Sequence, residues 1–254
     1  MELYYIIVFF IFGLVFGSFF NVVGYRLPKN MSLIKPASHC TNCNHKLKPL
    51  ELIPVFSYIF QGGKCKKCKQ KISIFYPIFE LLTASLFVLT YLVFGISIET
   101  FIALIFVSMI LIITLSDILY MIIPDSLLII SGMLIFILKL YENGINNIFE
   151  IIIGIIVPFV IMYLLKLLGD YIFKKESLGG GDIKLMLIFG LVLGWEISLC
   201  TIVIASFIAL PLSIINLLMK KNHELPFGPY LGVAALICLY TQIDISTIIN
   251  LLLF

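Results

Sequence analysis

The sequence predicts an all-α fold, a polytopic membrane helix bundle of about eight transmembrane helices with a cytoplasmic zinc-binding loop. Three observations predict it. Of 254 residues, 61% are hydrophobic and 12% charged, with a mean hydropathy of +1.15; soluble domains run near half apolar and a quarter charged. Apolar runs recur at the length a hydrocarbon core of about 30 Å requires, roughly 20 residues at about 1.5 Å each. One long polar segment, 24–74, interrupts them and concentrates positive charge.

In order, spans are expected near 3–23, 75–94, 98–117, 126–140, 148–168, 183–194, 197–219 and 228–243, with a further apolar tail at 245–254. The first lacks a basic leading region and a small-residue cleavage site, so it reads as a retained helix rather than a removed signal peptide. Within it Gly13 and Gly17, four apart, read either as a close-packing face or as ordinary membrane-helix glycines. The organisation expected is therefore a first helix (1–23), the polar loop (24–74) and a membrane helix bundle (75–254), the part that holds the candidate aspartates taken up below.

Charge sets the orientation. Arg26 and nine lysines lie in 24–74, while Lys166, Lys174, Lys175, Lys184, Lys220 and Lys221 fall at connections on the same side of an eight-span chain. Lys139 alone falls opposite, with Glu2, Glu99, Glu142, Glu196 and Asp244. Positive residues mark the cytoplasmic side. No stacking aromatics interleave the basic knuckles, so nucleic acid is not an expected partner.

The loop holds "CTNC" (40–43) and "CKKC" (65–68), two C-x-x-C pairs joined by 21 residues. Two residues between thiols let both reach one ion, and a second pair completes a tetrahedron. Zinc on Cys40, Cys43, Cys65 and Cys68 is the expectation, and metal binding would supply the folding energy of a loop with little core. Disulfides or redox pairs are the alternative, disfavoured on the reducing side of the membrane. His39 and His45 flank the first pair, either as substitute ligands or as solvated polar residues. Cys200 and Cys238 lie singly in apolar runs and read as small core residues.

Ionisable residues in membrane spans are functional candidates. Asp117 closes "FIALIFVSMILIITLSD", at a helix C-terminal end where negative charge is unfavourable. Asp125, after Pro124, reads as a helix cap. Asp182 follows Gly179, Gly180 and Gly181; capping explains the carboxylate but not the glycines, which permit close backbone approach. Asp170 reads as an ordinary interfacial residue. Lys184 is expected to snorkel to the interface, with a direct influence on the aspartates as the alternative. Two carboxylates on different helices that come within a few ångströms share one proton, the arrangement of aspartyl-protease chemistry. A proton-coupled transporter is the rival class.

"GGGD" (179–182) resembles the G-x-G-D signature of membrane aspartyl proteases, a group that includes presenilins and the type IV prepilin peptidases. It stands with "GSFFNVVGYRLP" (17–28), the paired cysteines, "LELIPVFSYIFQGGKCKKCKQKISIFYPIFEL" (50–81), "SDILYMIIPD" (116–125) and "PFGPYL" (226–231). In that order the chain resembles the prepilin leader peptidases from end to end. Gly24 is a departure, standing where a bulkier residue is expected. The resemblance implies catalysis by Asp117 and Asp182, with Gly179 and Gly181 as motif glycines. It implies prepilin or pseudopilin substrates cut after a glycine, on the cytoplasmic side of the bacterial inner membrane. It also implies N-methylation of the new terminus with S-adenosylmethionine, a peptidase without methylation being the alternative. No G-x-G-x-x-G lies in a βαβ context, so no residue is assigned to the methyl donor, and the sequence assigns no oligomeric state.

Overall fold

The structure is a computed structural model and describes residues 1–144, 147–219 and 225–242. Lys220, Lys221, Asp244, the tail at 245–254 and the last residue of the 228–243 span lie outside the described residues. The described chain is helical: α1 Glu2–Arg26, α2 Phe56–Phe60, α3 Phe75–Phe94, α4 Ile98–Tyr120, α5 Asp125–Asn143, α6 Ile148–Phe173, α7 Gly180–Leu193, α8 Trp195–Leu218 and α9 Gly228–Thr241.

Helices stand at all eight expected span positions. Five are long and apolar enough to cross a membrane: those at Glu2–Lys29, Phe75–Phe94, Ile98–Tyr120, Ile148–Phe173 and Trp195–Asn216. The other three fall short for physical reasons. At 14 residues each, α7 and α9 reach about 21 Å, less than the hydrocarbon thickness. Within its 19 residues α5 carries Asp125, Lys139 and Glu142.

The chain forms two compact units, Met1–Thr100 and Phe101–Phe254. In the first, α1 and α3 run antiparallel with their backbones in close approach. A Cβ added at Gly13 would stand 2.5 Å from Ala84 Cα, and one at Gly17 would stand 2.9 Å from Glu80 Cα. These two glycines are therefore a packing face. Phe9 stacks on Tyr91 and Phe16 meets Phe87 along the same seam. At its end Arg26, buried, donates to the Ser32 carbonyl at 3.1 Å, closing the chain where it leaves the helix.

In the second unit α4 is central. Its most apolar stretch is 67% buried, against 22% for those of α6 and α8. Phe106 on α4 meets Phe189 on α7 edge to face at 5.4 Å. Ile110 on α4 packs on Gly232 of α9, where a Cβ would stand 2.7 Å from Ile110 Cγ2. Gly154 on α6 lies against the Gly190 carbonyl of α7. Small residues thus let helices approach where lipid supplies no hydrophobic drive, and α4, α7 and α9 are held side by side.

Candidate functional site

Two constellations stand out, one in each unit. In the second unit Asp117 and Asp182 are each only 6% exposed. They come from separate helices, and the charge of Asp117 acts on Asp182.

Asp117 lies in the last turn of α4, where the helix dipole opposes a negative charge. The opposition is offset from elsewhere. The N–H of Gly228, first residue of α9, donates to Asp117 Oδ2 at 3.1 Å, so a helix N-terminus faces the carboxylate. Pro229 follows at the second helical position, where its missing N–H costs nothing. A Cβ at Gly228 would stand 2.6 Å from Asp117 Oδ2. After α4 the chain turns through Met121 at φ 54, and the Ser116 hydroxyl donates to the Ile122 carbonyl to fasten that turn.

Asp182 is the third residue of α7, whose N-cap is Gly179. A Cβ at Gly179 would stand 3.1 Å from Asp182 Oδ2. The glycines separate in role: a Cβ at Gly181 would stand 2.9 Å from Ile123 Cβ, whereas at Gly180 nothing lies within 4 Å. The close backbone approach that the glycines permit is made at Gly181, to Ile123 in the connection after α4. The Ile123 side chain also lies 3.5 Å from a Cβ at Gly228, so it touches both glycines that border the carboxylates.

Asp125 does not behave as the expected cap. The N-cap of α5 is Pro124, Asp125 is the first helical residue, and its side chain makes no cap hydrogen bond. It binds Lys184 Nζ at 2.7 and 2.8 Å instead. The Lys184 ammonium competes with the helix N-terminus for this carboxylate, and Lys184 is turned to α5. Asp170 is also more than an interfacial residue. It accepts from Ser177 N at 2.6 Å and Ser177 Oγ at 2.9 Å, tying down the segment that leads into the glycines.

In the first unit the four loop cysteines gather, with all four Sγ atoms within 4.8 Å of one another. The two C-x-x-C turns are built alike. Cys40 N–H bonds the His45 carbonyl and Cys65 N–H the Gln70 carbonyl, both at 2.9 Å. The residue after each second cysteine, Asn44 or Lys69, takes a positive φ, and isolated bridges His39–Lys46 and Lys64–Lys71 close the two turns. Cys40 and Cys68 sulfurs are 3.8 Å apart and Cys43 and Cys65 sulfurs 3.9 Å. Disulfide sulfurs sit at about 2.05 Å, whereas a tetrahedron with metal–sulfur bonds of about 2.3 Å has edges of about 3.8 Å. The four-sulfur set fits a metal ion.

Backbone N–H groups also aim at these sulfurs. Those of Cys43 and Asn42 hold the Cys40 thiol below its ordinary value, and that of Gln70 brings Cys68 down to about 6. The His45 N–H favours the Cys43 thiolate, but burial and three neighbouring sulfurs push that thiol up to about 11. Crowded sulfurs that cannot all ionise alone are what a cation would relieve. His45 is not a ligand here. Its Nε2 lies 3.3 Å from Glu51 Oε2, and the Glu51 side chain is 2% exposed. The Lys48 N–H first, then His45, hold the Glu51 carboxyl below its usual range against the effect of burial. His39 bonds the Ala37 carbonyl. Cys238 is buried and Cys200 half-buried, both as core residues.

Comparison with known proteins follows the same division. Residues 11–94 match the Bacterial Peptidase A24 N-terminal domain, and residues 104–214 match the Type IV leader peptidase family. A Bacillus subtilis protein named prepilin leader peptidase/N-methyltransferase is 34% identical over 96% of this chain and 98% of its own length. Proteins of the same name from Aeromonas hydrophila and Pseudomonas aeruginosa are 31% and 32% identical, over 93% and 89% of this chain and 90% and 87% of their own lengths. No solved structure matches. With matches that cover both units and nearly the whole of its relatives, the chain belongs to the Type IV leader peptidase family.

Proposed function

We propose that this chain is a membrane aspartyl endopeptidase that removes the basic leader of type IV prepilins or pseudopilins after a glycine. It then N-methylates the new N-terminal residue, with S-adenosylmethionine as methyl donor. The observation that carries the peptidase reading is the pair of 6%-exposed carboxylates, Asp117 and Asp182, brought into electrostatic reach from two helices. A transporter has no use for such a pair together with the four-cysteine loop, and the family is one of peptidases.

The chemistry follows from the pair. With one proton between them, the ionised carboxylate takes a proton from water as its oxygen attacks the scissile carbonyl. The protonated partner hydrogen-bonds the carbonyl oxygen, and a proton passes to the departing amine as the C–N bond breaks. Gly228 N–H fixes the Asp117 carboxylate in place, and Gly179 and Gly181 are the motif glycines. The pair lies at helix ends, where water can enter, as hydrolysis requires.

Cys40, Cys43, Cys65 and Cys68 would hold zinc, which supplies a structural cross-link rather than catalysis. The loop and the ends bearing Asp117 and Asp182 face the cytoplasm, supported by the lysine asymmetry, so the enzyme is a multi-pass protein of the bacterial inner membrane. The test is to incubate purified protein with a prepilin-like peptide, with and without methyl donor. Cleavage in both cases and methylation only with donor is the expected result; an uncut peptide overturns the reading.

A further inference from the structure

The cysteine loop carries an apolar surface that its own fold leaves open. Between the two C-x-x-C turns the chain reads "LELIPVFSYIF" over 50–60. Leu50, Ile59 and Phe60 are 74%, 64% and 86% exposed, with Ile53 and Phe56 exposed beside them. Three observations say what covers this surface.

The first is depth. Val55 N–H donates to Glu80 Oε2 at 2.8 Å, and Glu80 is buried within α3. Glu80 lies five residues after the start of that span at Phe75, or about 8 Å along it. The short helix α2 is thereby tied level with the first turns of a membrane-length helix.

The second is that the tie holds a conformation the chain would not choose. Val55 has φ 60 and ψ −53, and Phe56 N–H bonds the Pro54 carbonyl at 2.6 Å. This is a γ-turn centred on a β-branched residue, which rarely adopts positive φ. Such a turn persists where its surroundings fix it, and the Glu80 carboxylate is one such contact.

The third is charge. All nine lysines of 24–74 are exposed, while Glu51, the one acidic residue of that segment, is buried. An exposed apolar aromatic ridge on a segment whose lysines are all exposed and whose one carboxylate is buried is complementary to an anionic lipid surface.

We propose that Phe56, Ile59 and Phe60 seat in the acyl–headgroup boundary of the leaflet from which α1 and α3 emerge, with exposed lysines of the same segment on anionic headgroups. The cysteine loop is then laid on the membrane rather than suspended in water. This rests on α1 and α3 crossing the membrane and not on the peptidase chemistry, so either can fail alone.

The test uses the full chain in nanodiscs of phosphatidylcholine and phosphatidylglycerol. Trp195→Phe removes the single tryptophan, and Phe60→Trp then places a reporter on the ridge. Bromine-labelled acyl chains should remove most of its emission, and iodide in the water little. Lys67→Trp, on the second C-x-x-C turn, should show the reverse. Withdrawing phosphatidylglycerol should weaken the bromine quenching; no dependence on it overturns the headgroup contact. A residue-60 reporter quenched by iodide, or shielded from both quenchers by protein, overturns the proposal. Metal content matching the parent shows the loop intact, and if Phe60→Trp lowers it, Ile59→Trp carries the same test.

Discussion

The cysteine cluster and the carboxylate pair are both sites of converging side chains, but they are assembled over different distances. Each C-x-x-C turn is made within six residues, and the two turns repeat the same backbone hydrogen bonds. The carboxylate pair draws on α4, α7, α9 and the connection after α4, and its hydrogen bond from Gly228 to Asp117 spans 111 residues. Local geometry makes the first site, and helix packing makes the second. A change in the first should therefore cost metal and loop order. A change in the second should cost rate while the fold stands.

The largest effect expected is on cleavage. Asp117→Asn or Asp182→Asn keeps shape and removes the ionisable group, so peptide cleavage should fall at least about 10³-fold. Metal content should stay at the parent value, and methylation of a peptide supplied already cut should survive. If Asp125→Asn is inactive while Asp117→Asn cuts normally, the partner is misassigned. Next in size, Cys65→Ser should abolish metal binding and open the loop to protease, measured by elemental analysis and limited digestion. Retained stoichiometric metal would break the contrast between the two sites.

Gly228→Ala sharpens it. The added methyl meets Asp117 Oδ2, and a displaced catalytic carboxylate should lower kcat about 10- to 100-fold with KM little changed. Gly232→Ala disturbs the same α4–α9 contact against Ile110 without touching the carboxylate. Only the Gly228 variant should shift the pH dependence of cleavage. Equal behaviour of the two would reduce Gly228 to a packing role.

What was legible in the sequence follows the same line. The four cysteines and their spacing were readable because C-x-x-C geometry is local. Asp117 and Asp182 were singled out by position, one at the wrong end of a helix and one behind glycines. "PFGPYL" does not reveal Gly228 as a partner, because nothing local says that an α9 amide meets an α4 carboxylate. A glycine before Pro at a helix start was the available signal. Asp125 was misread for the same reason: Pro-Asp before an apolar run resembles a cap, and the competing Lys184 is 59 residues away. Eight helices are visible from hydropathy, but length sets α7 and α9, and charge sets α5, apart from the five full spans. The loop boundary near 75 follows polarity, whereas the compact unit ends at Thr100 because α3 packs on α1.

Two smaller effects bound the comparison. Glu51 has its carboxyl held low in the folded loop, so its contribution is complete at neutral pH and is lost as pH falls through that lowered value. Glu51→Gln should therefore lower loop stability at neutral pH, and the difference from the parent should close in acid. Smallest of all, Lys184→Met or Asp125→Asn breaks a pair with side chains 49% and 59% exposed. Each should change stability by at most about 1 kcal/mol, seen as a minor shift in thermal unfolding.

The central claim is that Asp117 and Asp182 act as one pair around a shared proton, and the pH profile of kcat/KM for peptide cleavage by the unmodified protein tests it most directly. The account predicts a two-limbed profile whose apparent pKa values belong to the pair. A profile with a single limb, rising or falling to a plateau across the whole range in which the protein stays folded and metal-loaded, would contradict it.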